Sequence, residues 1–446
     1  MEICRIAIAW IVCMSAAGVA VAQTPVQPMR YDLRVGQRWV YDRKLEETAL
    51  RAAAGSSVRR GREQLQLWIL DEKNGEFRVL VDLIRLDGKT ISESLGGMMF
   101  LRATGERRWP AEMEARIESL SDALLILPVV SHPFERGANW TSSADEFGRQ
   151  LRFEIEPPDA TTRRQRVVFE RVDTTGASEV LGETALGQFW FDLDQRRIMR
   201  MECEHVDATR GVRQRSVVEF FRVIEHPVDW CRRRVRELDQ SMRAVRSDQR
   251  ARASVSMGSA DERTWRDLAR VWDESLATLE RDADSPLPRI GAAWRTLAIE
   301  STPALQQDNL VAKAWHAQPA THWSLQNAAG QTVRSEPLRD RPMLEVYWSV
   351  KSPASMRALE TARRAQRELG DLARVVCINV DNDLDAARAA ARKCGMEENV
   401  VLGGGALLPP ASRTLPVARL IGEQGRVVAI WFDWQPRLAE LVREKL

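Results

Sequence analysis

The sequence predicts a multidomain α+β protein: an N-terminal antiparallel β-domain, a helical hairpin and a C-terminal α/β domain. Three observations carry that reading. At 446 residues the chain exceeds what one hydrophobic core usually serves. From about Tyr31 to Glu225 the apolar period is two, with no strand–helix alternation. After Pro227 the period turns helical, and from His322 onward strands and helices alternate.

Composition sets the class before any motif is considered. An apolar fraction of 44% and a charged fraction of 29% are those of an ordinary globular protein. The net charge of +2 spreads Arg among nearly as many acids, so nothing in the balance points to nucleic acid or an acidic partner.

The first residues, "MEICRIAIAWIVCMSAAGVAVAQTP", carry one Arg, an apolar run from Ile6 and an Ala20-Val21-Ala22 end. That is the pattern of a secretory leader over 1–22 with cleavage before Gln23, and its run is short for a membrane span. The expected location is therefore exported, periplasmic or extracellular, with no membrane span once the leader is gone. In such an oxidising compartment Cys203, Cys231, Cys377 and Cys394 permit disulfides, and none of them is spaced as C-x-x-C.

The β-domain is expected over 23–227, as a sandwich or a strongly curved sheet. "REQLQLWILDEK" and "EFRVLVDLIRLDG" alternate like half-buried strands, and Asn74-Gly75 between them is a tight-hairpin signal. Five further alternating segments follow, the last of them "RQRSVVEFFRVIEH", with a short helix expected in "MEARIESLSDALLILPVV". A hairpin of two helices, then a connection with a further short helix, is expected over 228–318. Cys231, Val235, Leu238, Met242 and Val245 form the first stripe, and Ser259 to Glu262 reads as the capping box of the second helix.

The α/β domain is expected over 319–446. "MLEVYWSV" is an unbroken apolar strand that runs into "SPASMRALETARRAQRELG", a helix stopped by Gly370. "ARVVCINVD" and "NDLDAARAAARKCG" are the next strand and helix, and "LPVARLIGEQGRVVAIWF" is a hairpin. This order resembles the thioredoxin-like superfamily, in its redoxin branch of TlpA-type thiol-disulfide oxidoreductases and the alkyl hydroperoxide reductase/thiol-specific antioxidant group. The resemblance rests on "YWSVKSPASMR", "VVCINVD" and "RTLPVARLIGEQGRVV" and covers under a third of the chain. It implies that Pro416 is a cis-proline facing the active site. It also implies that the attacking and resolving cysteines fall on Ser352 and Ser355, and the preceding Trp on Lys351.

In such a family the first sulfur sits at a helix N-terminus, where free backbone N–H groups and the helix dipole stabilise a thiolate. A serine hydroxyl stays protonated there and cannot exchange with disulfides. Serine followed by proline is also a good helix start in its own right, so Ser352 is expected to act as an N-cap. Peroxidase chemistry lacks its cysteine at the same helix start.

The expected function is a redox-inactive binding or scaffolding module for an extended peptide or another exported protein, at Trp348, Lys351, Ser352, Leu415 and Pro416. The alternative is an exported thiol-disulfide oxidoreductase or antioxidant acting through Cys394, expected to be the more exposed thiol, with Cys377. A third reading gives the function to the β-domain as a ligand binder.

Other candidate ligands are weaker. Cys203 and His205 share a strand face with His226 and Cys231 following, but pairing of the last two strands separates them too far for one zinc site. Asp381, Asp383 and Asp385 have calcium-loop spacing without the later Gly and Glu, so helix capping is the expectation. Gly403 opens a loop without phosphate-binding residues, and Asn139 begins a glycosylation sequon. No cofactor is implied.

Overall fold

The computed structural model describes residues 29–446 except 51–57, 89, 111–112, 114–119, 121–123, 125–126, 129–137, 143–149, 157–162, 173–183, 208–210, 280–281, 283, 318, 337–339, 410–411, 413 and 436. The expected leader over 1–22, and most of the helix expected near 113–130, lie outside the described residues.

One antiparallel sheet of eleven strands makes up the first part. Its strands are β1 (Gln37–Ala49), β2 (Arg59–Lys73), β3 (Glu76–Asp87), β4 (Thr90–Arg102), β5 (Arg107–Arg108), β6 (Asn139–Thr141), β7 (Gln150–Ile155), β8 (Arg164–Val172), β9 (Thr184–Asp192), β10 (Arg197–Asp207) and β11 (Val212–Glu225). Their spatial order is β5-β4-β3-β2-β1-β11-β10-β9-β8-β7-β6. Two meanders of sequence neighbours are thus joined by a single long-range pairing, β1 with β11, from Gln37↔Glu225 to Ala49↔Val212. Asn74 and Gly75 turn β2 into β3 with φ of 56° and 77°, the left-handed pair that the hairpin signal requires. The strands form one continuous sheet, so of the two expected architectures the single sheet is found.

The half-buried expectation fails in the first meander. Val79 to Ile84 of β3 are all buried, because this part of the sheet is covered on both faces. Two adjacent glycines demonstrate it. A Cβ on Gly96 would meet Ile290, whereas a Cβ on Gly97 would meet Leu120 and Trp109.

Four helices follow: α1 (Val228–Ser256), α2 (Glu262–Ala277), α3 (Leu287–Glu300) and α4 (Thr302–Ala317). In place of the expected connection and one further short helix after the hairpin, there are two helices, since 287–317 is almost wholly helical. The cap of α2 also moves. Asp261 accepts from the Thr264 N–H, while the Ser259 hydroxyl donates back to the Ser254 carbonyl at the end of α1. The first three helices join the core of the large sheet through Trp230, Leu238, Trp272, Ile290 and Trp294. By contrast α4 contributes Val311, Ala312 and Trp315 to the core of the next sheet.

That next region holds a two-stranded ribbon, β12 (Ser324–Gln326) with β13 (Thr332–Arg334), and then alternating elements. These are β14 (Met343–Trp348), α5 (Pro353–Leu369), β15 (Arg374–Asn379), α6 (Leu384–Lys393), β16 (Val400–Val401), β17 (Val417–Ile421), β18 (Val427–Phe432) and α7 (Leu438–Arg443). The sheet order is β16-β15-β14-β17-β18, parallel among the first three strands and antiparallel in the last two pairings.

All six residues of β14 are buried, and they alternate between two cores. Leu344, Val346 and Trp348 face α5, and Met343 and Tyr347 face α4. Glu345 on the α4 side is buried too, and its carboxylate accepts from Arg419 Nε (2.7 Å), the Tyr347 hydroxyl (2.8 Å) and Trp323 Nε1 (2.8 Å). A buried charge persists only with such pairing and hydrogen bonding.

Candidate functional site

Strand β14 delivers the chain to a short turn, and α5 starts just beyond it. Ser352 has extended backbone angles (φ −109°, ψ 117°), and its Oγ accepts from the Ser355 N–H at 3.2 Å, the geometry of a serine N-cap. The same hydroxyl donates to the Leu415 carbonyl at 3.4 Å. Leu415–Pro416 is a cis peptide bond, as the resemblance implies, and it lies directly across from the helix start.

The turn is held from below by Asp381. Its carboxylate accepts from the Ser349 hydroxyl (2.6 Å), the Val350 N–H (2.7 Å) and Asn379 Nδ2 (2.9 Å). Burial works to raise the carboxyl, but those three donors and the nearby Lys351 charge hold it below its ordinary range. Of the three aspartates at calcium-loop spacing, Asp383 caps α6 by accepting from the Ala386 N–H, and Asp381 clamps the turn. The clamp was not foreseen from sequence; Asp at the end of a buried strand that returns beside a helix start is the signal that points to it.

The residues expected to bind divide into two layers. Lys351 is exposed, and Ser352 and Leu415 are half-buried at the surface. Trp348 and Ser355 are wholly buried and Pro416 is buried, so these three shape the site from beneath and present no surface. Trp348 cannot serve as a contact residue because its ring belongs to the core under α5. The hydrogen bonds of the Ser352 hydroxyl go to the Ser355 N–H and the Leu415 carbonyl, neither of which is a base that could activate it.

The thiols lie elsewhere. Cys377 in β15 and Cys394 at the end of α6 are unbridged and buried, which corrects the expectation that Cys394 is the more exposed. The stripe Ala387, Ala391, Cys394 faces inward at steps of four and three, a spacing already present in the sequence. Burial, with the charge of Glu360 added, pushes the Cys394 thiol up to about 12. Burial raises Cys377 well above the ordinary thiol range as well, with Cys394 adding to the effect. At neutral pH neither offers appreciable thiolate, the reactive form.

In the large sheet Cys203 faces Ser216 across the β10–β11 pairing. His226 stacks on Trp230 with ring centroids 4.3 Å apart, and Cys231 is buried in the first turn of α1. At Gly404–Leu407 the expected glycine loop forms one 3-10 turn.

A brace from the helices was not legible in the sequence. The Thr414 hydroxyl, one residue before Leu415, donates to the Asp308 carboxylate of α4 at 2.8 Å. Burial raises the Asp308 carboxyl to about 6; the Thr414 hydrogen bond and Arg252 oppose this, and Asp433 adds to it. At the other end of the domain, by the starts of β14 and β15, a cavity of about 370 Å³ is lined by Arg341, Arg374, Gln366, Glu398 and Asn399. Its two arginines are each paired with an aspartate, Asp371 and Asp340, so it presents no concentrated charge.

The fold of this region is thioredoxin-like. That statement rests on the strand order and on the cis-proline facing the start of α5. Three solved structures align with it. A thiol-disulfide oxidoreductase from Bacteroides fragilis is 20% identical, over 28% of this chain and 99% of its own, at a TM-score of 0.25. A thioredoxin family thiol:disulfide interchange protein from Chlorobium tepidum is 14% identical, over 29% and 95%, at 0.26. The exposed lipoprotein thioredoxin of Streptococcus pneumoniae is 17% identical, over 28% and 100%, at 0.25. At these scores the likenesses carry no argument of their own. No family model matches the chain, and no curated protein matches it. No helix among the described residues is long and apolar enough to cross a membrane.

Proposed function

We propose that the C-terminal domain is a binding module that keeps the shape of a thiol-disulfide active site without its chemistry. Ser352 and Ser355 stand at the positions of the two cysteines. The protein is exported to a periplasmic or extracellular location, with a leader over 1–22, a β-domain over 23–227, a helical region over 228–318 and the thioredoxin-like domain over 319–446. Its ligand is an extended peptide or a segment of another exported protein, laid between the start of α5 and the Leu415–Pro416 turn. Lys351, Ser352 and Leu415 make the contacts, and Trp348 and Pro416 support them.

The observation that carries this reading is the Ser352 hydroxyl. It occupies the N-cap and reaches the Leu415 carbonyl, so an oxygen takes the place where a thiolate would need to be. An oxygen there keeps the helix start and removes disulfide exchange. The reading through Cys394 and Cys377 has no such support, because both sulfurs are buried with raised thiols.

The test is reduction of a small disulfide substrate by the natural chain and by a Ser352→Cys/Ser355→Cys variant. An inactive natural chain and an active variant are expected. Activity in the natural chain, abolished by Cys394→Ala, would overturn the proposal. For the binding half, an unbiased peptide array should give hits that weaken when Leu415→Arg blocks the turn, and an array without hits would remove peptide as the ligand.

A further inference from the structure

One surface feature lies outside the site described so far. One row of exposed positions runs along α1 and its C-cap: Val228, Arg232, Arg236, Asp239, Arg243, Arg246, Arg250, Ala253 and Met257. Their steps are of four or three residues, which keeps them on one ridge of a helix with about 3.6 residues per turn. Five of the nine are arginines. The one acid, Asp239, is already paired with Arg78 at 2.9 Å.

Arg232 shares its charge with Asp229. Arg236, Arg243 and Arg250, spaced seven residues apart, enter no ion pair among the described residues. At about 1.5 Å per residue these three stand roughly 10 Å apart in a row. A chain whose net charge is only +2 therefore concentrates positive charge on one line.

The two ends of the ridge are apolar. Val228 is 52% exposed and Met257 57% exposed. The opposite face of α1, with Cys231, Leu238, Met242 and Val245, is packed into the core, so the ridge is rigid.

We propose that this ridge is a contact surface for an anionic lipid membrane. Arginines in a row neutralise lipid phosphates, and exposed apolar side chains at both ends enter the headgroup boundary without competing for those phosphates. A nucleic acid or an acidic protein would reward the arginines and leave Val228 and Met257 unused. The rigid helix gives up little conformational freedom on contact. Such a contact is peripheral and electrostatic, so it weakens as salt is raised.

The experiment measures co-sedimentation of the full chain with vesicles of phosphatidylglycerol and phosphatidylcholine mixed, and of phosphatidylcholine alone, at low and physiological salt. The readout is the ratio of binding between the two vesicles, which any affinity of the leader for lipid leaves nearly unchanged. A preference for the anionic vesicles is expected. Arg236→Gln/Arg243→Gln/Arg250→Gln should lower it on the order of 100-fold. The corresponding triple Lys variant should retain it, and Val228→Ser/Met257→Ser should lower it by a smaller factor. All these positions are exposed, and circular dichroism reports that the variants keep the fold. The proposal is overturned by equal binding to both vesicles, by an anionic preference that survives the triple Gln variant, or by binding to duplex DNA where anionic vesicles are ignored.

Discussion

Strands β3 and β8 belong to one sheet and are buried differently. In β3 six consecutive residues, Val79 to Ile84, are buried. In β8 burial alternates, with Gln165, Val167 and Phe169 inside and Arg166 and Val168 partly open. The difference comes from what lies on the second face. Over the first meander it is α3, whose Trp294 donates to the Gly96 carbonyl at 2.7 Å and whose Arg289 pairs with the buried Asp82. Over β8 no helix among the described residues takes that place, and polar side chains such as Arg166 with Glu156 and Gln188 face outward. A strand's own pattern thus gives one face, and a segment about 200 residues away decides the other.

Breaking a doubly covered strand should cost most. Strand β14 is the extreme case, and Glu345→Ala leaves Arg419, 1% exposed, without its counter-charge. A loss of about 3–5 kcal/mol is expected in urea denaturation. A small effect of the single change would mean that water reaches Arg419. Next comes Gly96→Ala, whose Cβ would stand 2.5 Å from Ile290 Cγ2 and push α3 off β4. About 1–3 kcal/mol is expected from overpacking, read as a lowered Tm together with changed near-ultraviolet dichroism from Trp294.

The brace between α4 and the Leu415 turn supplies a pH test. The Asp308 carboxyl stands at about 6 in the folded chain, above the range near 4 of an unfolded one. The folded state therefore binds the extra proton between those values. This stability is full below about pH 4 and is lost as pH rises through 6. Against Asp308→Asn, which keeps an acceptor for Thr414, the natural chain should lose a few degrees of Tm between pH 4.5 and 7. A constant difference between the two would show the carboxyl to be solvated.

Smaller again is Ser352→Ala, which removes the cap of α5 at about 1 kcal/mol. Smallest is Glu170→Gln on the open face of β8. Its partner Arg152 is exposed, and a change within about 0.5 kcal/mol is expected in the same denaturation series. A large effect there would mean that the outer face of β8 is covered after all.

Local chemistry made much of the second region readable in advance. Ser352 followed by Pro353 marked the start of α5, as Asn74-Gly75 marked a hairpin in the large sheet, and the cis-proline at Pro416 followed from the resemblance. What escaped depended on distant partners. The Asp308–Thr414 brace joins residues more than a hundred positions apart. The arginine ridge of α1 was hidden for a different reason. Read linearly, its charges mingle with Glu237 and Asp248, and only the helix periodicity separates them, since Glu237 and Asp248 are turned into the core.

The β1–β11 pairing has a consequence for how the chain folds. Each meander adds strands to its sequence neighbour, so its contacts are local and form early. The seam between them brings Gln37 beside Glu225, and the loop it closes contains nearly the whole sheet. It should be the slow step, leaving two half-sheets with bare edges while it waits. Pulse-labelled hydrogen exchange during refolding would then find the Val79–Ile84 amides protected before those of Tyr41 and Phe220. A mutation that weakens the seam would raise aggregation through those edges before it lowered Tm.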